Sequence, residues 1–123
     1  MTPFGKKMRE LRAAKGIALK AMAHEIGVSP AYLSALEHGR RGQPTWYLVQ
    51  RIISFFNVIW DEAEELERLA AISDPKVTLN TAGLSPDITE AANLFARSAA
   101  SMSEADARDL LQILRRIEDS STT

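Results

Sequence analysis

Apolar residues recur along the chain at the three-and-four spacing of helices that bury one face. Phe4, Met8, Leu11 and Ala14 predict a first helix over residues 5 to 14, with Gly16 as its stop. Leu19, Met22, Ala23 and Ile26 predict a second, short helix closed by Gly27. A third opens at Ser29-Pro30, where a serine oxygen can cap a free N–H and proline is pre-shaped for the first helical position. Gly39 fits its left-handed terminus. Within it Leu33 and Leu36 share one face, while Ala31, Tyr32, Ser34 and Ala35 point elsewhere. Gln43, Pro44 and Thr45 break and cap before a fourth helix with the apolar stripe Leu48, Ile52, Phe55 and Phe56, ended by Asn57. A fifth helix, over about residues 60 to 72, sets Ala63, Leu66, Leu69 and Ala70 against Asp61, Glu62, Glu64, Glu65 and Glu67, and acid at its start complements the helix dipole.

The pattern breaks from Ser73 to Ser85, where Asp74-Pro75, Gly83 and Ser85-Pro86 punctuate the chain. Inside that segment Lys76 to Leu79 alternates like a short strand, which alone must pair with another chain, lie on the helices or remain extended linker. Two further helices are predicted over 86 to 101 and 104 to 118, the second opened by the capping box Ser103-Glu104-Ala105-Asp106. Leu110, Leu111, Leu114 and Ile117 line one face of the last helix, and Ser120 to Thr123 reads as a frayed tail. The expected organisation is a domain over residues 1–72, then a linker and C-terminal helices over 73–123.

Charge changes this picture more than composition does. The net charge of −1 hides an asymmetry: up to Arg51 there are nine basic residues against three acidic (+6), and beyond it six against thirteen (−7). A basic module joined to an acidic one fits a phosphate-binding half and a half that meets something else. The chain has no cysteine, which removes disulfides, thiolate metal sites and cysteine nucleophiles, and His24 and His38 are too few for a metal cluster. No nucleophile constellation or phosphate loop is visible, so an enzyme and a cofactor are not expected. No apolar run has the length of a signal peptide or a bilayer span, and the expected location is the cytoplasm, at the nucleoid.

The chemistry concentrates in residues 23 to 41. Ala23, Gly27, Val28 and Ser29 give A-x-x-x-G-V-S between two short helices: a small residue for close crossing, glycine for the turn and valine to plug the angle. With Leu33, Ser34, Leu36, Glu37, Gly39 and Arg40 added as L-S-x-L-E-x-G-x-R, the stretch resembles the Cro/repressor (Xre-type) helix-turn-helix family over about residues 4 to 60. The resemblance implies an all-α fold, a five-helix lambda-repressor-like domain, here with a C-terminal helical extension for dimerisation. It implies that the third helix enters the major groove with Ser29, Pro30, Ala31, Tyr32, Ser34 and Ala35 toward the bases. Phosphate contacts would come from Arg40, Arg41, Thr45 and Trp46, with Lys6 clustered near them. Tyr32 has packing, and Trp46 the sealing of a core edge, as alternative roles. Arg12 and Glu37 match a bridge between the first and third helices; were it exposed, it would add little stability. Ala18-Leu19 stands where the family commonly has Ser-Gln, so the second helix is expected to lack its side-chain cap, with Lys20 supplying a phosphate contact by charge.

The resulting expectation is a sequence-specific regulator of double-stranded DNA, a repressor that binds a palindromic operator as a homodimer through Leu110, Leu111, Leu114 and Ile117. Two alternatives use the same module. An antitoxin would neutralise a protein partner through the acidic C-terminal half, and a bridging factor would contact proteins through a helix whose Pro30 and Ala31 side chains donate no hydrogen bonds.

Overall fold

A computed structural model of the chain describes residues 1–121. It consists of α-helices α1 (Pro3–Lys15), α2 (Leu19–Ile26), α3 (Pro30–Glu37), α4 (Trp46–Phe56), α5 (Asp61–Ala71), α6 (Pro86–Ser98) and α7 (Glu104–Ser121). The contacts divide into two compact units, Met1–Val77 and a second that begins at Thr78.

Local chemistry sets the helix ends. Thr2 accepts a hydrogen bond from the Gly5 N–H and Pro3 takes the first position, which starts α1 two residues ahead of the predicted start at residue 5. Ser29 caps α3 through the Tyr32 N–H and Thr45 caps α4 through the Leu48 N–H. Ala18 makes no such bond, so α2 begins without a side-chain cap, as its sequence implied. Gly16, Gly27 and Gly39 all take positive φ where helices end, and Asn57 does so after α4 at φ 55°. The entry to α5 differs: Trp60 precedes it at φ 53°, ψ −122° with no side-chain cap, and Asp61, Glu62 and Glu64 of its first turn supply the charge that favours a helix start.

The first unit closes around Phe4, Met8, Met22, Ala23, Ile26, Leu33, Leu36, Leu48, Val49, Ile52, Phe56, Leu66 and Ala70, all buried. α1 packs on α3 and α5, α2 on α3 and α4, and α4 on α5. Each large side chain in this cluster contributes roughly 1.5–3 kcal/mol by leaving water. Ala14 is exposed, so the apolar face of α1 is narrower than its spacing suggested, whereas α4 adds buried Val49 to its stripe and Phe55 is half-buried against the core.

The expected division after residue 72 moves to Val77, and Ser73 lies on the headpiece side of it. Ser73 is 4% exposed. Its hydroxyl accepts a hydrogen bond from the Phe4 N–H at 2.9 Å and donates one to the Leu69 carbonyl, joining the start of α1 to the end of α5.

In the second unit α6 is capped by Ser85 and tightens into a 3-10 turn at Ala99–Ser101. The Ser103 cap of α7 forms, with the Asp106 N–H donating to the Ser103 hydroxyl at 3.1 Å. Neither helix contains a buried residue. α7 continues through Ser120 to Ser121, correcting the expectation of a tail fraying from Ser120; the last two residues of that segment lie outside the described range. Among the described residues there is no strand: Lys76 to Leu79 is open chain, with Val77 and Leu79 exposed, because nothing within the chain pairs with it.

Candidate DNA-binding surface

The helix-turn-helix is built as its residue types require. Ala23 is fully buried where α2 meets α3, Gly27 turns the chain at φ 78°, and half-buried Val28 packs against the core while its N–H donates to the Ala23 carbonyl. A second brace comes from α4: the Arg51 guanidinium donates to the Ile26 carbonyl, the last of α2, at 3.3 Å.

These constraints hold α3 with Leu33, Leu36 and Glu37 inward and its N-terminal turn outward. Ser29, Pro30 and Ala31 are exposed, whereas Tyr32, Ser34 and Ala35 are half-buried. The six anticipated base readers therefore fall into two groups, three open to solvent and three half-buried. The Ser29 oxygen is engaged by the Tyr32 N–H at 3.0 Å, which leaves its hydroxyl proton as the group free to point outward. Tyr32 packs against the core, and its ring carries the Arg41 guanidinium 5.6 Å from its centroid.

The anticipated phosphate contacts come from several elements of the first unit. Lys6, Lys20, Arg40 and Arg41 are exposed. The Thr45 hydroxyl oxygen accepts from the Leu48 N–H, so its hydroxyl proton and the open N-terminus of α4 are what it leaves for an anion. Trp46 is 66% exposed and does not seal a core edge. It meets Tyr47, also exposed, ring edge to ring face at 5.3 Å. Tyr47 and Arg51 were not singled out from the sequence, yet both line a shallow groove with Val28, Ser29, Tyr32, Thr45 and Leu48. The available signal was their four-residue spacing on α4, beside the stripe of Leu48, Ile52 and Phe56.

The Arg12–Glu37 bridge is buried rather than exposed. Arg12 Nη2 and Nε donate to Glu37 Oε1 at 2.7 and 3.2 Å, and the Glu37 side chain has no solvent exposure. Arg9 Nε lies 3.8 Å from the other oxygen, Oε2, beyond hydrogen-bond length. A carboxylate in this setting depends on its guanidinium for neutralisation. On α5, by contrast, the exposed acids are partly paired along the surface. Arg68 donates twice to Glu65 at 2.9 Å, which holds the Glu65 carboxyl below its ordinary pKa, and Gln50 donates to Glu67. The anticipated dimer residues are on α7, Leu110 half-buried and Leu111, Leu114 and Ile117 exposed. His24 and His38 are both on the surface. Among the described residues no three metal-ligating side chains come together, and no helix is long and apolar enough to cross a membrane.

A family model described as a helix-turn-helix domain matches residues 3–69, more than half of the chain. The chain belongs to the helix-turn-helix domain family. Its type is that of the Xre regulators, and the family is one of DNA-binding transcriptional regulators. One relative is the uncharacterized HTH-type transcriptional regulator RghRB of Bacillus subtilis, 33% identical over 61 residues. The match spans 50% of this chain and 44% of that protein's length. Among solved structures, a chain of the SinR protein/SinI protein complex aligns at 21% identity and a TM-score of 0.42, covering 80% of this chain and 99% of that one.

Proposed function

We propose that this protein is a sequence-specific repressor that binds a palindromic operator as a homodimer. The observation that carries this reading is the exposed first turn of α3, Ser29 to Ala31, on a helix whose opposite face is locked into the core, with Arg41 over Tyr32 and Arg51 in the adjoining groove. Lys6, Lys20, Arg40 and Arg41 dock on phosphates, and the N-terminus of α4 at Thr45 and Trp46 presents N–H groups to the backbone. Pro30 and Ala31 read thymine methyl groups by apolar contact, while Ser29 and Ser34 supply polar ones.

The helices beyond Thr78 support dimerisation. Neither α6 nor α7 contains a buried residue, and Ile88, Leu94, Phe95, Leu111, Leu114 and Ile117 are all about half exposed. A second copy would cover these faces and set two recognition helices about one DNA turn apart. The same exposed apolar faces, on the acidic half of the chain, also suit a different protein partner, which would make the protein an antitoxin or a bridging factor. In either case the proposal involves no catalysis and no cofactor, and the protein acts in the cytoplasm on the nucleoid.

The test is selection of bound duplexes from a randomised pool at near-physiological salt, followed by titration of the enriched duplex against a scrambled one. The expected result is an inverted repeat preferred by ~10^3-fold or more. Salt-sensitive binding without an enriched motif would overturn base reading and favour the bridging factor.

A further inference from the structure

Arg41 follows α3 in sequence but does not trail from its end. α3 is eight residues long, roughly 12 Å at the helical rise, and Tyr32 is its third residue. The Arg41 guanidinium nonetheless lies over the Tyr32 ring, folded back toward the turn that carries Ser29 to Ala31. Tyr32 is a firm support, half-buried, packed against the core and held by the Ser29 cap at its own N–H. Arginine loses much rotamer freedom when it is fixed, and a ring already in place offsets part of that loss before any ligand arrives. A guanidinium attracted to a ring face keeps its N–H groups available at its edge, where they match the paired oxygens of a phosphate.

We infer that Tyr32 is a positioning residue for Arg41: its ring holds the guanidinium beside the exposed turn of α3, where it grips a DNA backbone phosphate, and its hydroxyl reads no base. The inference deepens the proposed DNA-binding role of α3, and it assigns Tyr32 to the opposite side of the division between reading and gripping from the one its sequence position suggests.

Backbone gripping is independent of sequence, so the test uses a duplex of arbitrary sequence and does not depend on an operator. Affinity is measured by fluorescence anisotropy across a salt series for the full chain and for Arg41→Ala, Tyr32→Phe, Tyr32→Leu and the Tyr32→Leu/Arg41→Ala double variant, with thermal melts to confirm folding. Arg41→Ala should lower the salt slope by about 0.9 and weaken binding roughly fivefold at physiological salt. Tyr32→Leu should weaken binding about threefold with the slope unchanged, since the charge remains but is no longer held. Tyr32→Phe, which keeps the ring, should bind like the parent, and the double variant should match Arg41→Ala alone. Loss of affinity in Tyr32→Phe, or additive losses in the double variant, would overturn the inference. So would an unchanged salt slope in Arg41→Ala. Because the operator selection is a separate experiment, failure of base reading and failure of this inference are distinguishable.

Discussion

Gly5 of α1 and Glu37 at the end of α3 meet backbone to backbone. A Cβ at Gly5 would lie 2.2 Å from the Glu37 carbonyl oxygen and 2.7 Å from its Cα. In the same place the Thr2 N–H donates to that carbonyl at 3.3 Å, while the Glu37 side chain turns inward to Arg12. One residue therefore anchors α3 to α1 through both its main chain and its carboxylate.

Gly5→Ala should be costly, although alanine is the better helix former. The obstructing atoms are backbone, so α1 and α3 have to separate, and a loss of roughly 3 kcal/mol is expected. Chemical denaturation measures it; a loss below about 1 kcal/mol would show that the crossing relaxes easily.

Removing Arg12 should hurt more than removing the pair. Arg12→Met leaves the Glu37 carboxylate buried without its guanidinium, at an expected cost of about 3–5 kcal/mol. The Arg12→Met/Glu37→Met variant should regain most of that stability, because two apolar side chains replace two desolvated charges. A double variant as unstable as Arg12→Met would mean that the carboxylate does structural work that methionine cannot replace. The bridge would then contribute more than charge neutralisation.

A missing cap can be supplied. Ala18 has the extended backbone of an N-cap, φ −73° and ψ 148°, and makes no side-chain bond. Ala18→Ser places an oxygen within reach of the Ala21 N–H and should stabilise the headpiece by ~1 kcal/mol. The midpoint of thermal unfolding should rise by roughly 4–8 °C. No change would indicate that solvent already satisfies that N–H equally well.

Leu114→Asp addresses self-association. Leu114 is 53% exposed on α7, outside the headpiece, so the substitution should leave the helix-turn-helix intact while converting dimers to monomers in light scattering. Persistence of the dimer would remove this face of α7 from the interface.

Much of the headpiece could be read from the sequence, because its signals are local. Thr45, Ser29-Pro30, Gly16, Gly27 and Asn57 act on their own turns, and the three-and-four spacing names the buried faces without tertiary information. What escaped notice depends on elements crossing. Gly5 looks like a weak helix residue until α3 is placed against it. The depth of the Arg12–Glu37 pair depends on how closely α1 and α3 approach, and the Arg51 brace requires α4 to reach the end of α2. Thr2-Pro3 is a local signal too, a cap just ahead of Phe4, where the apolar pattern begins. At Lys76 to Leu79 the alternation was real, but a strand needs a partner and the period alone supplies none.

Ser73 carries a consequence for the order of folding. The Phe4 N–H stands at the first turn of α1, and its acceptor arrives 69 residues later. During synthesis that donor waits until the fifth helix and the residue beyond it have emerged. The clasp is then a long-range closure, and contacts of this kind form slowly because the chain must first surrender the entropy of the loop between them. A fragment ending at residue 72 would contain every helix of the headpiece and still lack the hydroxyl that fastens the last to the first. Such a fragment should open from its N-terminal end in hydrogen exchange, with the amide of Phe4 among the first to be lost.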